Sequence, residues 1–110
     1  MRRGEIWTAA GGKDYVGKPR PVVIVQDDRF DRTTSITVCA LTTDPTDAPL
    51  IRPPVDPTED NGLRAPGRLM VDKMTTVPKT RLGTRIGKLE AEPLLRLNRA
   101  MIVFLGLAGT

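Results

Sequence analysis

Up to residue 90, hydrophobic positions alternate with polar ones or cluster in short β-branched runs; beyond it they recur at spacings of three and four. That ordering predicts a β-rich body closed by a single helix. Glu5-Ile6-Trp7-Thr8-Ala9 is β-prone and bounded by glycines, so a first strand is expected over Gly4–Ala10. The glycine-bearing segment Gly11–Pro19 has no apolar periodicity and reads as a loop. Pro21–Gln26 contains the unbroken run Val22-Val23-Ile24-Val25, the pattern of a strand covered on both faces and the expected centre of the sheet. Polar Asp27–Thr34 predicts a helical turn, and Ile36–Thr43 a third strand.

Asp44–Pro66 holds six of the ten prolines and is expected to be loop, with one short edge strand around Leu50–Arg52. Arg68–Val77 reads as one long strand ended by Pro78. From Glu90, residues Leu94, Leu97, Met101 and Leu105 share one helical face, with acids and Pro93 in the first turn and Gly106 as the stop. Six or so strands and one closing helix predict a mainly β fold, a small barrel with the helix packed across it. A single domain is expected over residues 1–110.

Composition narrows the chemistry. The 17 Lys and Arg outweigh 13 Asp and Glu, a net charge of +4 that favours polyanions without singling one out. Lys79, Arg81, Arg85 and Lys88 form a basic stretch without acids, most simply a solvated face. The chain has no histidine, which removes the commonest general base, and its lone Cys39 leaves neither an internal disulfide nor a paired zinc-ligand set. With no apolar leader or spanning run, a soluble protein of the reducing cytoplasm, away from membranes, is expected. Cys39 reads as a small buried hydrophobe.

Arg20 is the residue most suited to phosphate chemistry. Pro19 and Pro21 stiffen the backbone on either side of it, and a held guanidinium donates a bidentate fork to phosphate oxygens. On residue type alone, a charge at the barrel rim is the simpler reading. Thr42 and Thr43 end the third strand beside the second, where a hydroxyl can reach a phosphoryl oxygen. Asp72 interrupts an apolar run, so its carboxylate belongs at a sheet edge, against an arginine, or in a site. Trp7 follows strand alternation into the core, whereas Tyr15, in the glycine-bearing loop, is the better placed to stack a base.

Gly4-Glu5-Ile6-Trp7, Lys18-Pro19-Arg20-Pro21-Val22-Val23-Ile24-Val25 and Leu41-Thr42-Thr43 occur in one order and spacing. Together with Leu69-Met70-Val71-Asp72, Arg85-Ile86-Gly87-Lys88-Leu89 and the final helix, they resemble the MazF/PemK family of toxin endoribonucleases. The resemblance implies an SH3-like barrel with a C-terminal helix, acting as a homodimer and inhibited by a cognate antitoxin. It also implies cleavage of single-stranded RNA without a metal or other cofactor, through attack of the ribose 2′-hydroxyl. A cyclic phosphate and a 5′-hydroxyl would result. On this resemblance Arg20 and Thr42 fall on the family's catalytic positions, and Asp72 on an acid that some members pair with an arginine two positions earlier. Here Met70 replaces that arginine.

Arg20 is therefore expected to stabilise the phosphate and serve proton transfer, Thr42 to orient the phosphate, and Asp72 to act as base or substrate contact. Tyr15, Lys18, Thr43, Lys73 and Arg81 are expected to contact RNA. Two other readings stand beside this one. The gyrase-poisoning CcdB branch shares the barrel but relies on a terminal aromatic that this chain lacks, and a non-catalytic RNA-binding barrel would also suit the modest charge.

Overall fold

The computed structural model describes residues 1–10 and 18–109. Seven strands and one helix are seen among them: β1 (Glu5–Ala9), β2 (Arg20–Ile24), β3 (Ser35–Thr42), β4 (Pro54–Val55), β5 (Gly67–Leu69), β6 (Thr75–Pro78), β7 (Leu82–Lys88) and α1 (Ala91–Phe104). The sheet runs β4-β5-β3-β2-β1-β7, with β6 also paired to β3, and its pairings are antiparallel. It curls into a half-barrel carrying the C-terminal helix, the mainly β class that the sequence predicts.

The apolar run of β2 explains the curl. Val22, Val23, Ile24 and Val25 are all buried, so successive side chains must find apolar cover on opposite faces. Val23 and Val25 join Ile6, Cys39, Leu41, Leu69 and Val71 under Leu97 and Ala100 of α1. Val22 and Ile24 join Ile36, Val38, Ala40 and Leu82 on the other face, with Trp7 packed against them. Each such side chain contributes about 1.5–3 kcal/mol by leaving water, so a one-residue slip of β2 is strongly disfavoured. Cys39 is fully buried, the small buried hydrophobe expected of it, and burial pushes its thiol up to about 12, with the charge of Asp72 adding to it.

The helix is preceded by Glu90 at its N-cap and ends in a Schellman motif. The amide of Leu107 donates to the Ile102 carbonyl (2.8 Å) and that of Gly106 to Val103 (3.1 Å), with Gly106 at φ +72°, where glycine is unstrained.

Two expectations need correction. The segment around Leu50–Arg52 is a turn, because the amides of Ile51 and Arg52 both donate to the Ala48 carbonyl (3.1 and 2.7 Å), and the short strand falls later, at β4. The long strand over Arg68–Val77 is two strands separated by a 3-10 turn, Val71–Lys73. Both halves pair with β3, Leu69 opposite Leu41 and Thr75 opposite Val38. Between those pairs the partner chain has three residues more than β3, and the turn takes up the excess. Asp72 therefore sits on a turn outside the ladder.

Candidate active site

One cross-strand row organises the site. Ala9 of β1 pairs with Arg20 of β2, and Thr42 of β3 pairs with Arg68 of β5. The β2–β3 register runs through Ile24–Val38, Val23–Cys39 and Val22–Ala40. The pairing ends at Val22–Ala40; Arg20 begins β2 and Thr42 ends β3, each two residues beyond that pair, at the same end of the sheet. Residues opposite each other in antiparallel strands share a face, with Cβ atoms about 4.5–5.5 Å apart. Arg20, Thr42 and Arg68 thus continue, with polar groups, the face whose apolar part is Val22, Ala40 and Leu82. The two arginines flank the threonine.

Thr42 is held by its own chain. Its Oγ1 accepts from the Asp44 amide (3.1 Å), which occupies one lone pair and leaves the O–H to donate outward. Asp44 is fixed in turn, its Oδ1 accepting from the Thr46 amide (2.9 Å) and hydroxyl (2.7 Å). Those bonds, Thr46 hydroxyl first, hold the Asp44 carboxyl below the usual range, helped by the charges of Arg52 and Lys73. A cleft of about 220 Å³ opens here, lined by Thr42, Asp44, Asp56 and Arg68 among others. Thr43 lines it too, and also a larger groove of about 610 Å³ that includes Pro19, Pro21 and Arg64. Thr43 is common to both, one residue beyond Thr42.

Asp72 resolves one of the alternatives left by its residue type: it faces an arginine. Arg52 donates to it through Nε to Oδ1 and Nη2 to Oδ2, both at 3.1 Å, with both side chains largely buried. The Arg52 hydrogen bonds hold the Asp72 carboxyl low, against the opposing effect of burial.

Of the expected RNA contacts, Lys18 and Thr43 are exposed at the end of the sheet that carries Arg20. Lys73 is exposed next to Asp72 and lies within electrostatic reach of Asp44. Arg81 is exposed, and its carbonyl accepts from the Ala10 amide across the β1–β7 edge. Tyr15 lies outside the described residues.

Sequence reasoning missed Arg68, Asp44, Asp56 and Arg52. Arg68 was legible only once the register of β5 on β3 was known. Asp56 depends on Asn61, a fully buried side chain whose Nδ2 donates to the Asp56 carbonyl (2.8 Å). The Asn61 Oδ1 accepts from the Thr58 and Leu63 amides (3.0 and 2.9 Å), which folds the loop back onto the site.

A family model described as "PemK-like, MazF-like toxin of type II toxin-antitoxin system" matches residues 2–105. The chain is 54% identical over 109 residues to a protein of Mycolicibacterium smegmatis named "Probable endoribonuclease MazF", covering 99% of this chain and 100% of that one. Among solved structures it is similar to "Mycobacterium tuberculosis toxin MazF-mt6", with TM-score 0.77 and 29% identity over 93% of this chain and 96% of that one. A mycobacterial structure titled "Endoribonuclease in complex with its cognate antitoxin" shares the fold, with TM-score 0.81 and 23% identity over 100% and 99% of the two chains.

Proposed function

Since the chain belongs to the PemK-like, MazF-like toxins of type II toxin–antitoxin systems, we propose that it is an endoribonuclease that cuts single-stranded RNA and is restrained by a cognate antitoxin. The observation that carries the chemistry is the β2–β3 register, which ends at Val22–Ala40 and so brings Arg20 at the start of β2 and Thr42 at the end of β3 to the same end of the sheet.

RNA supplies its own nucleophile, which suits a chain with no histidine. The ribose 2′-oxygen attacks the adjacent phosphorus, the bond to the 5′-oxygen breaks, and a 2′,3′-cyclic phosphate and a 5′-hydroxyl result. The 2′-hydroxyl loses a proton and the leaving 5′-oxygen gains one, so the step consumes no water. The protein has to align the phosphate and stabilise the charge that builds on it. Arg20 is suited to the latter and to proton transfer, and Thr42, with its O–H left to donate, to alignment. Asp72 has both oxygens engaged by Arg52 and stays ionised. That favours a positioning role, holding the turn beside Thr42 through Arg52, over that of a base.

Ile102, Val103, Phe104, Leu105 and Leu107 are each between 43% and 71% exposed, an apolar C-terminal surface that supports the homodimer. Among the described residues no helix is long and apolar enough to cross a membrane.

Purified Arg20→Ala and Thr42→Ala proteins test the site. Each is expected to cleave RNA about 10²- to 10³-fold more slowly, with an unchanged circular dichroism spectrum. Cleavage at the wild-type rate by either folded variant would contradict its assignment.

A further inference from the structure

The cleft beside Thr42 carries more than a phosphate needs. Pro45, Pro54 and Pro66 give it rigid apolar walls, and Asp44, Asp56 and Arg68 give it both acceptors and a donor. At about 220 Å³ it is smaller than the roughly 300–1,000 Å³ of sites for drug-sized ligands, and it suits a single ring system. Arg68 is half-buried, and among the described residues its guanidinium makes no hydrogen bond or ion pair. Asp44 uses Oδ1 on Thr46 and keeps Oδ2 available. A phosphate fits poorly here, because two carboxylates outweigh one guanidinium. A nucleobase fits well, because it brings donors and acceptors together.

We infer that this cleft reads one guanine of the RNA next to the cut phosphate, with Arg68 donating to its O6 and N7 and the Asp44 and Asp56 carboxylates accepting from its N1–H and N2 amino group. Guanine alone among the RNA bases presents two neighbouring N–H donors on one edge and two neighbouring acceptors on the next. The Asp44 amide bonded to Thr42 Oγ1 ties the reading group to the alignment group. The inference rests on the endoribonuclease reading above and adds its base specificity.

The test is to sequence the 5′-hydroxyl ends released from a random RNA pool by wild-type, Arg68→Gln and Asp56→Asn proteins. Wild type is expected to fix guanine at one position within a nucleotide or two of the cut. Both variants are expected to lose that preference by roughly tenfold or more while keeping the others. Inosine, which lacks the N2 amino group, placed at that position should slow the wild type but not Asp56→Asn. Wild-type cut sites with no fixed guanine would overturn the inference. So would an Arg68→Gln protein slowed equally on all sequences, since that assigns Arg68 to a phosphate. If wild type releases no 5′-hydroxyl ends at all, the endoribonuclease reading itself falls, and this inference with it.

Discussion

Asp72 shows what a single residue's surroundings decide. Its type and position left three readings open, and the choice among them depended on Arg52, twenty residues earlier in a proline-rich segment with no periodic signal. The depressed carboxyl of Asp72 makes the pair a pH-dependent contribution to stability. The contribution is fully present above the unfolded value of about 3.9 and is lost as the pH falls below it toward the folded value. Asp72→Ala is expected to lower Tm at pH 7 by about 4–8 °C, the shift that loss of about 1 kcal/mol causes in a domain near this size. Melting curves should show the gap from wild type narrowing below about pH 4, where wild type loses the same interaction. A gap that is constant with pH would mean that Arg52 and Asp72 are not coupled in solution.

At the scale of elements, the β2 run and the three-and-four spacing of α1 were legible because burial imposes those periods on the sequence directly. The division of residues 67–78 was not, since a turn inserted between two strands keeps their composition and changes only their pairing. Close backbone approach was equally hidden. A Cβ on Gly87 of β7 would lie 2.4 Å from the Asp60 carbonyl oxygen and the Asn61 carbonyl carbon, and one on Gly62 would lie 2.1 Å from the Ile86 carbonyl oxygen. Both glycines let β7 lie against the loop whose Asn61 holds Asp56 in the cleft. Gly87→Ala is expected to cost about 1–3 kcal/mol, read by urea unfolding, and to weaken cleavage through displacement of that loop. An alanine variant of wild-type stability would show that the loop has room to move away.

Across the whole molecule, the site is a line drawn over the curled sheet, and its members come from strands far apart in sequence. Arg20 and Thr42 were visible in advance because one opens and the other ends a strong β run, and each stands in a motif of recognisable order. Arg68, Asp44 and Asp56 were not, because only the fold brings their segments together. The net charge of +4 pointed to polyanions in general, whereas Arg20 and Thr42 point to one scissile phosphate and Arg68, paired with Thr42, to the base beside it. The most direct measurement is therefore on the substrate. A single-stranded RNA cut by the wild-type protein in EDTA is compared with the same strand carrying one 2′-deoxynucleotide on the 5′ side of the cut. The expected result is a 2′,3′-cyclic phosphate and a 5′-hydroxyl from the first and no cleavage at that position in the second. Cleavage of the deoxy-substituted strand at the same bond would contradict attack by the ribose hydroxyl and the account built on it.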